Sequence, residues 1–214
     1  MSGTDSTAQD NAAYGIAALD AITTGDHNTA IGSEAGSANT TGYSNTFIGR
    51  EAGKANTEGY NNTFVGRGAG QSNTDADSNT FIGDVAGGAV TTGGANTSIG
   101  YQTLTNNTTG EKNTVVGSQS MYYNTTGNNN TAVGWNALTD NTTASNNTAI
   151  GYFALDKNTT GTQNVAVGAN ALLTNTTADD NTALGHNALY YNTTGANNTA
   201  VGKSALSDNT TASD

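Results

Sequence analysis

Short apolar runs recur along the chain at one fixed interval, separated by segments rich in Asn, Thr and Gly. Each run contains two neighbouring apolar residues, as in Phe64-Val65 and Ala132-Val133. Equivalent residues are always 17 apart, and the pattern holds without insertion from Asn11 to Asp214 in twelve copies. A period kept this strictly predicts a solenoid in which each copy forms one coil, because an inserted residue would break the stacking of equivalent side chains.

Asn opens every copy and defines the first repeat position, from Asn11 and Asn28 through to Asn198. Gly holds the fifth position and Thr the thirteenth in all twelve copies. β-Branched residues cluster at the second to fifth and at the twelfth to fourteenth positions, which predicts two short strands per coil. Helix is disfavoured, because Asn, Gly and Thr dominate and no apolar stripe of helical period is present.

Asn recurs at the first and twelfth positions, where we expect it to lie at corners of the coil. Asn adopts the left-handed backbone conformation more readily than most residues that carry a Cβ. Its side chain also forms the local hydrogen bonds that define turns. The pattern therefore predicts side-chain ladders of Asn that run from coil to coil and close the coil ends.

The third and fourth positions are both apolar in most copies, as in Phe47-Ile48 and Val115-Val116. Neighbouring residues in a strand point to opposite faces, so both faces should be covered. A coil of 17 residues encloses only one of them. We therefore expect the other face to pack on a second copy of the chain, with threefold symmetry favoured for a fibre.

A large side chain at the third position goes with a small one at the ninth, and the reverse. Copies with Phe at the third position have Gly at the ninth, whereas most others have Leu or Met there; the Phe–Gly pairs are Phe47 and Gly53, Phe64 and Gly70, and Phe81 and Gly87. A close-packed core permits such exchange between touching residues, so both positions should share one layer. If the two positions touch within one coil, Ala30 and Gly36 are an exception, because both are small. If each third position instead touches the ninth position of the preceding coil, the exception is Ser98 with Gly87. Both registers of contact therefore stay open.

Together the patterns predict an all-β fold, a parallel β-solenoid over residues 11–214 that is homotrimeric. Residues 1–10 are small, polar and aperiodic, which predicts a disordered lead. No apolar h-region of a signal peptide and no stretch long enough to span a membrane is present. Only 34% of residues are apolar, so the core must be thin.

Charged residues are few, and the net charge is -11. Six Lys and Arg residues scattered along the chain argue against binding to nucleic acid or to an anionic membrane. The absence of Cys excludes disulfides and thiolate metal sites.

The motif N-[ST]-x-[AVI]-G-x-x-A resembles the head repeats of trimeric autotransporter adhesins. The longer phrase N-T-A-V-G-x-x-A-L-x-x-N-T-T-G is similar to repeats of phage tail-fibre-like and bacterial surface proteins. This resemblance covers residues 11–214 and implies a left-handed parallel β-roll, a homotrimer, an extracellular location on a cell surface or virion, and attachment to a host or surface receptor. The coils are longer than those of the adhesin heads, and the resemblance implies no individual site residue.

Catalytic and metal-binding side chains are scarce. The two histidines, His27 and His186, occupy variable positions and are expected to be surface residues. Asp75 with Asp77, and Asp179-Asp180, lack the spacing of calcium loops and are expected to be solvated corner charges. The sequence therefore predicts a protein that is not an enzyme and has no cofactor and no metal site.

The sixth position varies most, which indicates outward display. It carries Tyr101, Trp135 and Tyr152, and the last two lie one coil apart, about 4.8 Å along the axis. Aromatic faces arranged in this way could hold a sugar ring, so these three residues are the candidate glycan ligands. The alternative is that they cover a groove between subunits.

Thr ladders suggest a different function. Thr holds the second position in all copies except two and forms a Thr-Thr pair at the thirteenth and fourteenth positions in ten of twelve. A flat grid of Thr is a surface that ice-binding solenoids present, although Thr also simply suits a β-ladder. A structural and adhesive fibre segment is therefore the predicted function, with ice binding as the alternative.

The twelfth copy ends in phase at Asp214, without an atypical capping repeat. An open terminal coil exposes unpaired backbone groups and recruits another chain. Two expectations follow: the chain is a segment of a longer fibre, or its open ends stack end to end into a filament.

Overall fold

The computed structural model describes residues 7–213, which form two compact units, the first ending at Thr109 and the second starting at Gly110. Within the described range each 17-residue copy contributes one three-residue strand, and no helix is present. The predicted all-β parallel β-solenoid with 17-residue coils is therefore confirmed.

Six strands build the sheet of each unit. Those of the first unit are β1 Ala12–Tyr14, β2 Thr29–Ile31, β3 Thr46–Ile48, β4 Thr63–Val65, β5 Thr80–Ile82 and β6 Thr97–Ile99. Those of the second are β7 Thr114–Val116, β8 Thr131–Val133, β9 Thr148–Ile150, β10 Val165–Val167, β11 Thr182–Leu184 and β12 Thr199–Val201. Neighbouring strands within a unit are parallel and in register, so that Phe47 lies opposite Phe64 and Ala132 opposite Ala149.

Each strand ends at the Gly of the fifth position. At Gly134 φ is 141°, and a Cβ there would lie 2.3 Å from the carbonyl oxygen of Gly151 in the next coil. Any larger residue would push the coils apart, which accounts for Gly in every copy. Beyond this Gly the backbone becomes left-handed at the seventh, ninth and seventeenth positions, as at Asn136 (φ 53°), Leu138 (φ 55°) and Asn146 (φ 64°).

Two local predictions are wrong. The twelfth to fourteenth positions form no second strand in the described chain, because the Asn141 amide turns back to donate to the Leu138 carbonyl at 3.3 Å. The backbone of Thr142 then makes one bond to the next coil, from its amide to the Thr159 carbonyl at 3.1 Å. The Asn residues of the first and twelfth positions are not left-handed either, since the left-handed residues lie at other positions of the repeat.

Asn side chains fill the interior of the coil as the predicted ladders. The Nδ2 groups of Asn130 and Asn141 both donate to the Ala144 carbonyl, at 2.9 and 3.0 Å. The Asn130 Oδ1 accepts the backbone amide of Asn147 in the next coil at 3.0 Å. Asn141 donates to the Asn124 Oδ1 of the preceding coil at 2.7 Å. One Asn pair thus joins three segments of its own coil and also links that coil to its neighbours.

The third and ninth positions share one core layer, as predicted. A Cβ at Gly53 would lie 2.4 Å from the ring of Phe47 in the same coil. A Cβ at Gly36 would lie 2.5 Å from the same ring, which belongs to the following coil. The Phe47 ring therefore fills the space beside two glycines, which explains why Ala30 and Gly36 can both be small.

Three aromatic rings occupy the middle of the first unit's core, whereas aliphatic side chains form that of the second. The ring centroids of Phe47 and Phe64 are 5.5 Å apart, and those of Phe64 and Phe81 are 5.0 Å apart and stacked. In the second unit the buried series comprises Leu138, Leu155, Leu172 and Leu189. Leu206, at the ninth position of the twelfth copy, is half-exposed.

Two polar side chains take the place of apolar ones in the core of the sixth copy. Ser98 and Thr103 are both fully buried, and the Ser98 hydroxyl donates to the Thr103 Oγ1 at 2.7 Å. The Thr103 hydroxyl in turn donates to the Gly100 carbonyl at 3.2 Å. Each hydroxyl therefore has a partner, which keeps the cost of burying these two groups low.

Residues 1–6 of the predicted disordered lead lie outside the described range. The amides of Thr7 and Ala8 both donate to the Thr23 carbonyl, at 3.0 and 3.2 Å. The Gln9 amide donates to the Asp26 Oδ1 at 2.7 Å. Thr24 and Gly25 bond to the Thr40 carbonyl in the same way as Thr7 and Ala8 bond to Thr23. Residues 7–10 therefore stack as the last four positions of a further coil.

Phe64→Ala should lower the free energy of unfolding by about 3–5 kcal/mol, because the ring is fully buried between two others. The double variant Phe64→Ala/Gly70→Leu should recover a large part of this loss, since it installs the small-plus-Leu combination that other copies use at the same left-handed position. Chemical denaturation followed by circular dichroism measures both.

Phe153→Ala is the matched control, because it removes the same ring from a partly exposed position. It should cost clearly less than Phe64→Ala. A double variant no more stable than Phe64→Ala alone would contradict the shared core layer.

Candidate functional site

In each unit the outward face of the strands carries a row of apolar side chains at the fourth position. From β2 onward the third-position side chains are buried in the coil, so the apolar side chains that are open to a partner on this face are those of the fourth position. Its isoleucines and Leu184 keep between 37% and 46% of their surface exposed. The row comprises Tyr14, Ile31, Ile48, Val65, Ile82 and Ile99 in the first unit and Val116, Val133, Ile150, Val167, Leu184 and Val201 in the second. The sequence expected both faces to be covered, and within one chain this one is not.

Thr side chains form two kinds of ladder. Those of the thirteenth position donate hydrogen bonds to the backbone of the next coil. The Thr142 hydroxyl donates to the Thr159 carbonyl and the Thr159 hydroxyl to the Thr176 carbonyl, at 3.1 and 3.0 Å. Those of the second position, such as Thr131 and Thr148, are half-buried on the outward strand face beside the apolar row. Those of the fourteenth position, such as Thr143 and Thr160, are exposed. Surface Thr therefore occurs at the second and at the fourteenth position, and only the second-position ladder lies on the strand face.

Two of the three predicted glycan ligands lie together. The rings of Trp135 and Tyr152 are stacked with centroids 5.2 Å apart and an interplanar angle of 16°, and both are about half-exposed. Tyr101 is also half-exposed, but it belongs to the first unit. Phe153, which the sequence did not single out, packs edge-on against both rings, with centroids 4.8 and 4.5 Å away. It was missed because the seventh position is polar in most copies.

A groove runs along the second unit between the side chains of the seventh and tenth positions. It consists of two hollows of about 370 and 410 Å³. Phe153, Asp156 and Lys157 line both hollows, so the two lie side by side. Tyr122 lines the first hollow, and Tyr190 lines the second. The groove thus combines aromatic side chains with a carboxylate and amides.

Asp156 is the buried ionisable group of this groove, with 2% of its surface exposed. Its Oδ2 accepts from the Lys157 ammonium at 2.9 Å, and the same ammonium lies 3.1 Å from the Asp140 Oδ2. Its Oδ1 is buried without a hydrogen-bond partner. Burial raises the pKa of Asp156 above its ordinary value, and the neighbouring Asp140 acts in the same direction, although Lys157 and the Thr139 hydroxyl oppose them. The tenth position varies freely, so no sequence signal marked Asp156.

Two of the acidic residues that the sequence singled out accept backbone amides of the preceding coil. Asp77 Oδ1 accepts the Tyr60 amide at 2.9 Å, and Asp179 Oδ1 accepts the Thr162 amide at 2.6 Å. These two residues are therefore inter-coil acceptors as well as the surface charges that the sequence predicted. Among residues 7–213, no group of three His, Asp or Glu side chains is placed to hold a metal ion. His27 and His186 are both exposed, as predicted.

Asp156→Asn should stabilise the fold at about pH 7, because a carboxylate whose pKa is raised on folding ionises less favourably in the folded than in the unfolded chain. The stability of the parent chain should rise as the pH falls through the raised pKa. The gain of the variant should therefore disappear at about pH 3, below the pKa of the unfolded chain. Thermal unfolding across this pH range measures it.

Asp140→Asn is the control, because it removes the other carboxylate that binds Lys157 at a more exposed position. It should give no comparable gain at about pH 7. An Asp156→Asn variant that is less stable than the parent at neutral pH would overturn this account of the buried carboxylate.

No helix among the described residues has the length and apolar character of a membrane span. Comparisons with protein-family models, with curated proteins and with solved structures gave no match to this chain. Its function must therefore be inferred from the surfaces that its coils present.

Proposed function

We propose that the chain is a structural and adhesive fibre segment of a cell surface or virion, which is not catalytic and assembles as a homotrimer through its fourth-position row. The observation that carries this proposal is the exposure of an aliphatic side chain at the same place in successive coils of each unit. Contiguous apolar surface of this kind marks an interaction site in soluble proteins. A second copy of the chain has the matching spacing, because it repeats at the same interval.

Association is favourable only if the apolar row is buried along at least a whole unit. Removing the exposed half of one such side chain from water is worth about 1 kcal/mol. Association costs about 4–15 kcal/mol in lost translational and rotational freedom. A contact of two or three coils would therefore fail, whereas a contact along a whole unit offsets the cost. This favours chains packed side by side along their strand faces.

The resemblance of the repeat to adhesin heads supports threefold symmetry and a location outside the cell. Three parallel chains around one axis let each strand face meet its two equivalents, so that residues of one coil contact the same coil in the partners. Such an assembly leaves the side of each coil across the core from the strand open for attachment to a receptor.

The trimer predicts a mass of three times 21.5 kDa by light scattering at micromolar concentration. The variant Val133→Lys/Ile150→Lys should dissociate it, because it brings like charges together in an apolar contact. In the monomer both side chains lie on the outward face, so the fold should persist by circular dichroism.

Thr143→Lys provides the control, since it adds the same charge at an exposed position away from the strand. It should leave the mass unchanged. A parent chain that scatters as a 21.5 kDa monomer would sink the proposed assembly.

Ice binding is the second candidate, and one observation favours it. The Thr of the second position and the aliphatic residue of the fourth form two outward rows, with about 4.8 Å between coils. Regular rows of this kind present a flat, partly hydroxylated surface to water. The two functions compete for the same face, because a face buried in a trimer cannot meet ice.

Thermal hysteresis separates the two candidates. We expect none from the trimeric chain, because its Thr rows would be covered. Hysteresis from a monomer, lost in Thr148→Lys and retained in Thr143→Lys, would instead establish ice binding by the strand face.

A further inference from the structure

The groove of the second unit offers hydrogen-bond acceptors that have no donor. The Oδ1 atoms of Asp156 and Asn136 are both buried without a partner, and both residues line the first hollow. A buried acceptor without a donor costs free energy, so native structures rarely retain one unless water, an ion or a ligand supplies the donor. Two such atoms in one hollow call for an occupant that donates more than one hydrogen bond.

Aromatic side chains lie along the same groove. Phe153 lines both hollows, with Tyr122 in the first and Tyr190 in the second. Tyr122 and Tyr190 are four coils apart, which spaces them by about 19 Å along the groove. Aromatic faces bind the apolar face of a flat ring. The occupant therefore combines apolar ring faces with several hydrogen-bond donors over the length of a short oligomer.

The charges of the groove select against other ligands. Lys157 is shared between Asp140 and Asp156, so these three residues are net negative and repel an anion. A metal ion is disfavoured, because the described residues lack a cluster of three ligating side chains. A long apolar segment is also a poor fit, since Gln119, Asn136, Thr139 and Asn170 contribute polar walls.

We propose that this groove binds a neutral oligosaccharide, with pyranose rings against Phe153 and the flanking tyrosines and with sugar hydroxyls donating to Asp156 and Asn136. Pyranose rings have both properties that the groove requires, since each carries an apolar face and a rim of hydroxyl groups. The inference deepens the adhesive part of the proposed function by naming the class of receptor and the residues that meet it.

The position of the groove is compatible with assembly. Third-position side chains from the strand and ninth-position side chains from the groove side meet in the core, as the Phe47–Gly53 contact shows in the first unit. The groove therefore lies across the core from the strand face, and a chain packed along its strand would keep the groove open to solvent.

Trp135 provides a reporter of occupancy. It is the only tryptophan of the chain, and its ring contacts Phe153 edge-on at a centroid distance of 4.8 Å. A sugar ring that packs on Phe153 changes the surroundings of this indole. We therefore expect oligosaccharide binding to change the tryptophan fluorescence of the unmodified chain.

The experiment is a titration of the full chain with four neutral hexasaccharides, namely cellohexaose, hexa-N-acetylchitohexaose, maltohexaose and galactohexaose, followed by calorimetry and by Trp135 fluorescence. At least one of these oligosaccharides should bind. Phe153→Ala and Asp156→Ala should each weaken that binding at least tenfold, and the isosteric Asp156→Asn, which keeps an acceptor oxygen, should weaken it less than Asp156→Ala.

Tyr43→Ala is the matched control, because it removes a half-exposed, stacked aromatic ring from the first unit. It should leave the affinity unchanged. Absence of binding by all four oligosaccharides, or binding that survives both Phe153→Ala and Asp156→Ala, would overturn the inference. Light scattering on the same samples tests the trimer separately, so failure of the glycan site and failure of the assembly are distinguishable.

Discussion

The buried asparagine pair is the interaction on which the rest of the coil depends. Asn130 and Asn141 both donate to one carbonyl, that of Ala144, and so hold the beginning, the middle and the end of the coil around a common point. Their remaining oxygens are used between coils. Removing the Asn130 side chain would leave the buried Asn147 amide without its acceptor, at a cost of about 1–3 kcal/mol. A chain with few apolar residues can therefore keep a defined interior, because much of that interior is a satisfied polar network.

A copy that lacks an asparagine of the ladder shows how strongly the hydrogen bonds of neighbouring coils depend on one another. Val90 stands at the twelfth position of its copy and has no side-chain donor, so the Oδ1 of Asn73 in the preceding coil is left buried without a partner. The Gly93 carbonyl keeps the bond from Asn79 of its own coil at 3.0 Å, and Asn96 of the next coil takes the place of the missing donor at 3.2 Å. The stack tolerates one such defect because its neighbours on both sides continue the ladder. The same stacking maintains left-handed leucines that would be unfavourable in isolation.

The sequence predicted the structural features that recur in every coil and missed those that occur at a single place. The 17-residue coil, the Asn ladders and the Phe–Gly exchange all follow from periodic positions, where equivalent residues share one environment. The second strand did not form, because Thr propensity at the thirteenth position is outweighed by the turn that Asn141 makes with Leu138. Phe153 and Asp156 lie at variable positions, so their meeting in a groove depends on side-chain directions across adjacent coils, which no period of the sequence encodes.

Two faces of the same coil are under different constraints, and this separates assembly from recognition. The strand face is uniform, since every coil after the first adds one outward aliphatic residue and almost always one Thr, and a uniform surface suits a partner with the same period. The groove face changes from coil to coil, with Tyr122, Thr139, Asp156 and Leu173 at successive tenth positions. A periodic lattice such as ice, or a second copy of the chain, can match only the first kind of surface. A ligand of limited length requires the second kind, because a unique set of side chains fixes where along the solenoid it binds.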